Sequence, residues 1–208
     1  MKAKTAKAKT AKSKIPTSQE PNELQRAVAF HGHLCPGLVL GYRASRLAMR
    51  RFGLERAYDE ELICVVENDS CSVDAVQSMT GCTFGKGNLI FRDYGKQVFT
   101  FARRAEIGRA LRVSIKPLPS LELAGGASRE DMRRAKIEQF LSVPDSEMFW
   151  ADEVTVQLPP RASAIQSASC ENCSEQVMES RLRQMAVKRL CVPCSEGWDT
   201  STVHKAGR

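Results

Sequence analysis

Four stretches of the chain place apolar residues three or four positions apart, which is the period of an amphipathic helix. The longest begins after Cys35, where Pro36 suits the first helical position, and Gly53 is a typical C-terminal stop. Ser128 and Asp131 form a capping box at the start of another. The predicted helices cover residues 21–31, 36–52, 71–79 and 128–143.

Shorter apolar or alternating runs predict five strands, at residues 62–67, 89–91, 97–102, 111–115 and 154–158. The turn at Asp93–Lys96, between the second and third of these, indicates a β-hairpin. Helices and strands cluster and do not alternate strictly, so we predict an α+β fold with a mostly antiparallel sheet and packed helices. Near the C-terminus, Val177–Ser180 indicates a further strand, and a short helix is predicted after Cys194.

Composition divides the chain into four parts. Residues 1–18 are a Lys/Ala-rich tail with too few apolar residues to form a core, and we predict that it is disordered. Residues 19–158 form the predicted α+β core domain. Residues 159–169 are a Pro/Ala/Ser-rich linker, and residues 170–208 are a small cysteine-rich module.

The formal net charge of +7 raises the question of a nucleic-acid partner. Six lysines and no acidic residue lie within residues 1–14, so the remainder of the chain is nearly neutral. We therefore favour a solubilising tail over a salt-sensitive tether to an anionic partner, and we disfavour nucleic acid. The sequence shows neither an apolar signal segment nor a run of about 20 apolar residues that could span a membrane, so we expect a cytoplasmic protein with no membrane partner.

Two Cys-x-x-Cys pairs lie near the C-terminus: Cys170 with Cys173, and Cys191 with Cys194. Seventeen residues separate the pairs, which is a spacing typical of a structural zinc site. Four thiolates complete a tetrahedron and leave no open position, so we predict structural zinc. Residues 170–208 contain six basic and five acidic side chains, and this balance gives no electrostatic signal for nucleic-acid binding.

A second set of soft metal donors lies at the start of the chain's longest predicted helix. His31, His33 and Cys35 fall within five positions, and this density favours a metal or thiol site. Cys35 is the predicted N-cap, where the helix dipole lowers the pKa of a thiol. If a reaction occurs there, Cys35 is the candidate nucleophile or thiolate ligand and His33 is the candidate base.

Two further groups of residues lie where strands and helices end in loops, which is where functional residues concentrate. Cys71 and Asp74 follow the first predicted strand, and Cys82 and Lys86 lie in the glycine-rich loop at residues 80–88. Asp74 could instead be an acidic residue in the first turn of a helix, where the helix dipole stabilises its negative charge. For Cys71 and Cys82, the sequence does not distinguish a ligand from a structural residue. Lys86 is a candidate for neutralising a bound anion, although the loop departs from the Walker A motif.

Three motifs in this order resemble the FmdE family, which is named for one of the subunits of formylmethanofuran dehydrogenase. They are His31–Gly37, the segment from Glu67 through Gln77, and Thr80–Leu89, and the resemblance covers about residues 24–158. It implies an α+β core, homodimers and a metal site built on the His/Cys motif. The C-terminal module resembles the treble-clef zinc finger found on some members.

Our leading hypothesis is therefore a metal-binding accessory protein of one-carbon or redox metabolism, acting beside dehydrogenase subunits that carry the redox centre. The candidate core ligands are His31, His33, Cys35 and Cys71, with Asp74, Cys82 and Lys86 as binding residues; zinc or another transition metal is the expected second metal. One alternative is a zinc-finger module that docks an acidic partner or nucleic acid. Another is a stand-alone thiol or metal enzyme acting on a small molecule.

Overall fold

The structure, a computed structural model, describes residues 22–106, 108–122, 125–161 and 166–198, and the predicted tail lies outside them. The chain forms two compact units that divide between Pro160 and Arg161. No helix in the described ranges is long and apolar enough to cross a membrane.

One sheet of the first unit is built from five strands: β1 (Leu62–Val66), β2 (Leu89–Phe91), β3 (Val98–Arg103), β4 (Arg109–Ile115) and β5 (Phe149–Thr155). Their order in the sheet is β2-β1-β3-β4-β5. The β1–β3, β3–β4 and β4–β5 pairs are antiparallel, and the β1–β2 pair is parallel. The prediction of a mostly antiparallel sheet is confirmed.

The predicted hairpin between residues 89–91 and 97–102 is wrong. β2 and β3 flank β1 on opposite sides, so that Cys64 pairs with Leu89 at one edge and with Phe101 at the other. The segment after β2 does not turn back on itself, because the N–H of Arg92 donates to the carbonyl of Val66 and carries the chain across the end of β1. Both edges of this buried, apolar strand are thereby hydrogen-bonded within the protein.

The last strand of the sheet lies earlier than predicted. β5 begins at Phe149, which is buried and pairs with Ile115, and it ends at Thr155. The apolar alternation at residues 154–158 therefore mostly follows the strand. Burial of Phe149 anchors the β4–β5 ladder at its start, which alternation alone does not reveal.

Among the described residues of the first unit, five helices accompany the sheet: α1 (Glu23–His31), α2 (Pro36–Phe52), α3 (Ser72–Thr80), α4 (Arg129–Ser142) and α5 (Asp145–Met148). The first four are the predicted helices, and the short α5 was not predicted. The capping box at Ser128 and Asp131 and the left-handed stop at Gly53 are both present.

α2 is the central helix of this unit and buries two faces. One face packs on the sheet, with Val39, Leu40, Ala44 and Ala48 in the same apolar cluster as Phe99, Phe101 and Leu111. The other face packs on α1 and α3, where Leu38 and Tyr42 meet Ala27, Ala75 and Met79. Three helices therefore converge near the start of α2.

Within its described residues, the second unit contains four short strands, one α-helix and a 3-10 helix at Glu179–Arg181. The strands and the α-helix are β6 (Ser167–Ser169), β7 (Gln176–Met178), β8 (Arg183–Met185), β9 (Lys188–Leu190) and α6 (Val192–Ser195). β6 pairs antiparallel with β7, and β8 with β9. β6 lies inside the predicted linker, and the strand predicted at 177–180 ends at Met178. α6 begins before Cys194, not after it, because Cys191 is its N-cap and Pro193 occupies its first turn.

Candidate metal centre

Cys35 occupies the predicted N-cap of α2. Its backbone is extended, and its Sγ accepts a hydrogen bond from the N–H of Leu38 at 3.4 Å. Pro36 fills the first helical position, where no backbone N–H is needed. Cys35 is only 7% exposed, so its sulfur lies at a buried helix N-terminus, where the helix dipole favours negative charge.

His31 is the last residue of α1 and faces Cys35. Its Nε2 lies 3.8 Å from the Cys35 Sγ, and its Nδ1 lies 2.7 Å from Oδ2 of Asp74, in the first turn of α3. A carboxylate accepts hydrogen bonds, so Nδ1 carries the proton and the Nε2 lone pair is available to a ligand. A carboxylate that orients a histidine through its second nitrogen is the usual arrangement around metal-binding histidines.

Cys71 immediately precedes α3 and adds a second thiol. Burial, together with the hydrogen bond to Cys35 and the charge of that neighbour, raises the pKa of the Cys71 thiol. One donor atom from each of His31, Cys35 and Cys71 lies within 4.8 Å of the other two. This spacing allows all three side chains to bind one metal ion. We call these three residues the core cluster.

Two glycines of α2 bring Cys71 beside Cys35. A Cβ at Gly41 would lie 2.0 Å from the carbonyl oxygen of Ser72, and a Cβ at Gly37 would lie 3.1 Å from the Cβ of Cys71. The start of α3 therefore rests directly on the backbone of α2, at a distance that only glycine at position 41 permits. Sequence reasoning missed this role, because a glycine within a helix indicates only lower helix propensity.

His33 lies next to the core cluster but outside it. Its side chain is exposed, and its ring centroid is 4.5 Å from that of His31. The three residues whose donor atoms converge do not include it. Its assignment as a ligand or base remains a prediction.

Cys82 and Lys86 are also outside the core cluster. Cys82 is 0% exposed, and its thiol donates to the carbonyl of Leu62 and is hydrogen-bonded to the Cys64 thiol, which lowers its pKa. The Lys86 ammonium donates to the carbonyls of Ala57 and Tyr58 at 3.2 Å each. The structure therefore gives both residues local packing partners, and a binding role for either one remains a prediction.

A pocket of about 370 Å³ opens beside the core cluster. His31, Cys71 and Asp74 line it, and Phe84 and Phe91 also contribute to its wall. The volume falls within the range of small-molecule sites, which is about 300–1,000 Å³. Sequence reasoning missed both phenylalanines. The available signal was an apolar aromatic residue, Phe84, in a glycine-rich loop where no core position is expected.

A polar network holds the loop between β1 and α3, which contributes to the lining of this pocket. The Oδ1 of buried Asn68 accepts hydrogen bonds from the hydroxyls of Ser70 at 2.8 Å and Ser72 at 3.1 Å. Gln97 joins the same network through Ser70. The network fixes the loop that carries Cys71, which favours a preorganised site.

The four C-terminal cysteines form a separate cluster in the second unit. One sulfur from each of Cys170, Cys173, Cys191 and Cys194 lies within 4.8 Å of the other three. Although desolvation opposes ionisation of Cys170, backbone N–H groups outweigh it and lower the pKa of this thiol to about 6. The Cys170 knuckle, the β8–β9 hairpin and α6, whose N-cap is Cys191, follow one another in the order of a treble-clef finger.

Comparison with known proteins identifies both units. A family model described as FmdE, molybdenum formylmethanofuran dehydrogenase operon, matches residues 30–150, which is more than half of the chain. The chain belongs to the FmdE family. A second family model, the prokaryotic dksA/traR C4-type zinc finger, matches residues 166–197 and contains all four clustered cysteines. The predicted resemblance and the C-terminal zinc finger are confirmed.

Two individual relatives extend this result. A probable S-adenosyl-L-methionine-binding protein of Archaeoglobus fulgidus is 33% identical in an alignment 198 residues long, gaps included, that covers 83% of this chain and 52% of that protein. The chain thus spans about half the length of this curated relative. A tungsten formylmethanofuran dehydrogenase FmdE-like protein from Syntrophus aciditrophicus superposes with a TM-score of 0.60 at 21% identity, covering 84% of this chain and 90% of that one. This likeness shows the fold.

Proposed function

We propose that this FmdE-family protein binds a transition metal through His31, Cys35 and Cys71, with one coordination position left open, in addition to the zinc of its finger. The observation that supports the proposal is the convergence of three donor atoms within 4.8 Å. One imidazole and two thiols form a donor set suited to zinc, and three protein ligands leave one coordination position for a small molecule.

The residues around the core cluster fit such a metal. Asp74 holds the Nδ1 side of His31 and leaves Nε2 for the ion. A bound metal supplies Lewis-acid polarisation of a coordinated ligand atom. The chain's own residues would orient that ligand, because Phe84 and Phe91 line the same cavity as His31 and Cys71. The geometry supports a small-molecule site at a metal centre.

Metal analysis of the purified chain tests this proposal. We expect two metal ions per wild-type chain and one in a Cys35→Ser/Cys71→Ser variant, measured by elemental mass spectrometry. Cys82→Ala is the matched control, because it removes a buried thiol outside the core cluster, and it should retain both ions. Equal metal content in the wild type and the Cys35→Ser/Cys71→Ser variant would refute a core metal, provided that the variant unfolds cooperatively.

A second candidate function is binding of S-adenosyl-L-methionine, the ligand in the name of the archaeal relative. The pocket offers aromatic rings at Phe84 and Phe91 and a carboxylate at Asp69. Aromatic faces attract cations such as a sulfonium, and a carboxylate accepts hydrogen bonds from an ammonium or a ribose. Isothermal titration with S-adenosyl-L-methionine should show binding that Phe84→Ala weakens. Tyr58→Ala, an exposed aromatic outside this pocket, should not weaken it.

We also propose that the protein acts as a cytoplasmic homodimer and an accessory subunit of a formylmethanofuran dehydrogenase-type system. The family's name and the FmdE-like structural relative support the accessory role. Light scattering on the purified chain should give twice the chain mass. Mixing the chain with purified dehydrogenase subunits should yield a larger complex on gel filtration, and elution of the chain at an unchanged volume would count against this role.

A further inference from the structure

A second cavity, of about 440 Å³, lies along α2 and shares no lining residue with the pocket beside the core cluster. Tyr42, Arg46 and Arg50 line it at four-residue spacing, so they follow one another along a single face of the helix. Arg43 and Asp145 also line it, the latter from the start of α5. Three guanidinium groups therefore face a cavity that contains one carboxylate.

Arg43 and Asp145 form the frame of this cavity. Arg43 is buried, and its guanidinium donates to the carbonyls of Phe140 and Val143 as well as to Asp145 Oδ1 at 2.6 Å. These bonds satisfy carbonyls at the C-terminal end of α4. The Arg43 guanidinium uses its donors to join the α4–α5 segment to α2, so it is not available to a ligand.

Arg46 and Arg50 retain donors that can serve a ligand. Within the described part of the chain, Arg46 makes one hydrogen bond, from Nη1 to the Tyr42 hydroxyl at 3.0 Å, and its guanidinium lies 5.8 Å from the Tyr42 ring centroid. Arg50 donates through Nη2 to Asp145 Oδ2 at 2.6 Å, while its side chain is 54% exposed. The Tyr42 hydroxyl and the Asp145 carboxylate thus position both guanidiniums and leave several N–H groups of each unused.

The charge balance of the cavity favours an anion. Asp145 is shared between Arg43 and Arg50, so the lining carries two more positive charges than negative ones. Glu23 acts on Arg46 electrostatically but is not part of the lining. Guanidinium groups match the oxygen spacing of phosphates and carboxylates through paired N–H donors. Leu24 and the ring of Tyr42 supply an apolar wall for the remainder of a ligand.

We propose that this cavity is a binding site for a small molecule bearing a phosphate or carboxylate group, which Arg46 and Arg50 hold together. Such a site is independent of the core cluster. It requires neither the metal nor the pocket at Phe84. Loss of the core metal in a Cys35→Ser/Cys71→Ser variant should therefore leave anion binding intact, so the two proposals can fail separately.

Isothermal titration of the full chain in a chloride buffer tests the site, with inorganic phosphate and succinate as separate probes. We expect at least one probe to bind and Arg46→Gln to weaken it about tenfold or more, because a charge-assisted, paired contact is lost. Arg46→Lys keeps the positive charge but loses the paired N–H donors of the guanidinium, so its affinity should lie between those of the wild type and Arg46→Gln. The matched control is Arg51→Gln: Arg51 lies on the same helix, donates to the Ala151 carbonyl and does not line the cavity.

Two results would overturn the proposal. One is the absence of binding by both probes, and the other is equal affinity in the wild type, Arg46→Gln and Arg51→Gln. Zinc content and the thermal unfolding transition should be measured for each variant. Unchanged values show that Arg46→Gln acts on the ligand, since Arg43, not Arg46, joins α4 to α2. Comparing phosphate with succinate identifies which oxyanion the site prefers.

Discussion

The two cysteine-containing clusters of this protein are built in opposite ways. The finger's cluster takes its four donors, all of them thiols, from two short Cys-x-x-Cys loops. The core cluster takes one donor each from the end of α1, the N-cap of α2 and the residue before α3. Four thiolates close a coordination sphere, whereas three mixed donors beside a pocket leave it open. Under the proposed function, the finger would stabilise a fold and the core cluster would hold a metal that can bind a small molecule.

The two clusters should respond differently to loss of their ligands, and the finger should show the largest effect. We expect Cys170→Ser/Cys173→Ser to unfold residues 166–198, because zinc supplies about 10–16 kcal/mol to finger folding. Hydrogen exchange should show loss of protection there, while the first unit keeps its thermal transition. Retained protection of the finger in this variant would contradict a structural role for its zinc.

The core cluster should instead be sensitive to helix packing. Gly41→Ala should lower the free energy of unfolding by about 1–3 kcal/mol, the usual effect of overpacking, although alanine normally favours a helix. The added Cβ meets a backbone carbonyl at 2.0 Å, which forces α3 and Cys71 to move. Calorimetry and metal analysis measure both effects.

Gly85→Ala is the control for that substitution, because a Cβ there meets nothing within 4 Å. Gly37→Ala should have an intermediate effect, since its closest contact is a side-chain carbon at 3.1 Å. Equal stability of Gly41→Ala and Gly85→Ala would show that the close helix contact does not constrain the protein.

A smaller change is expected when only the residue that orients His31 is altered. Asp74→Asn should weaken the core metal about 10–100-fold without unfolding the protein, because it removes the carboxylate that fixes the His31 ring. Competition with a chromophoric chelator measures this affinity. Asp69→Asn changes a carboxylate of the same pocket and should leave metal affinity unchanged. A similar loss in both variants would point to general electrostatics.

The smallest effect should come from His33. His33→Ala should leave core metal content close to that of the wild type, since this exposed side chain is outside the three converging donors. His31→Ala should lose the ion. If both variants lose metal equally, His33 is a ligand after all, and the sequence-based assignment is correct.

Local features of this chain could be predicted from its sequence, and long-range pairings could not. The N-cap at Cys35, the capping box at Ser128 and the four-cysteine module each depend on residues close in sequence. The order of strands around β1 depends on contacts between distant segments, because a run such as Leu89–Phe91 can pair with any suitable strand edge that the rest of the fold presents. The hairpin prediction failed for that reason.

The same limit applied within the core site. The motif containing His31 and Cys35 was evident, but its partner Cys71 could not be separated from a packing residue. Cys71 is brought beside Cys35 by the contact between α2 and α3 at Gly41, which joins segments that are distant in sequence. Cys82 illustrates the converse: it lies in a motif-like loop, but its thiol is buried against Leu62 and Cys64.

The β1–β2 pair, the parallel pair among the described strands, has a consequence for how this site can diversify. β1, α3 and β2 form a β-α-β unit within an otherwise antiparallel sheet, and Val66 and Phe91, at the carboxyl ends of its two strands, both line the pocket. Ligands in α/β proteins commonly bind at that edge. The candidate metal donors lie at helix ends, whereas these two pocket residues lie at strand ends, so substitutions at the strand ends can alter the pocket while leaving the core cluster in place.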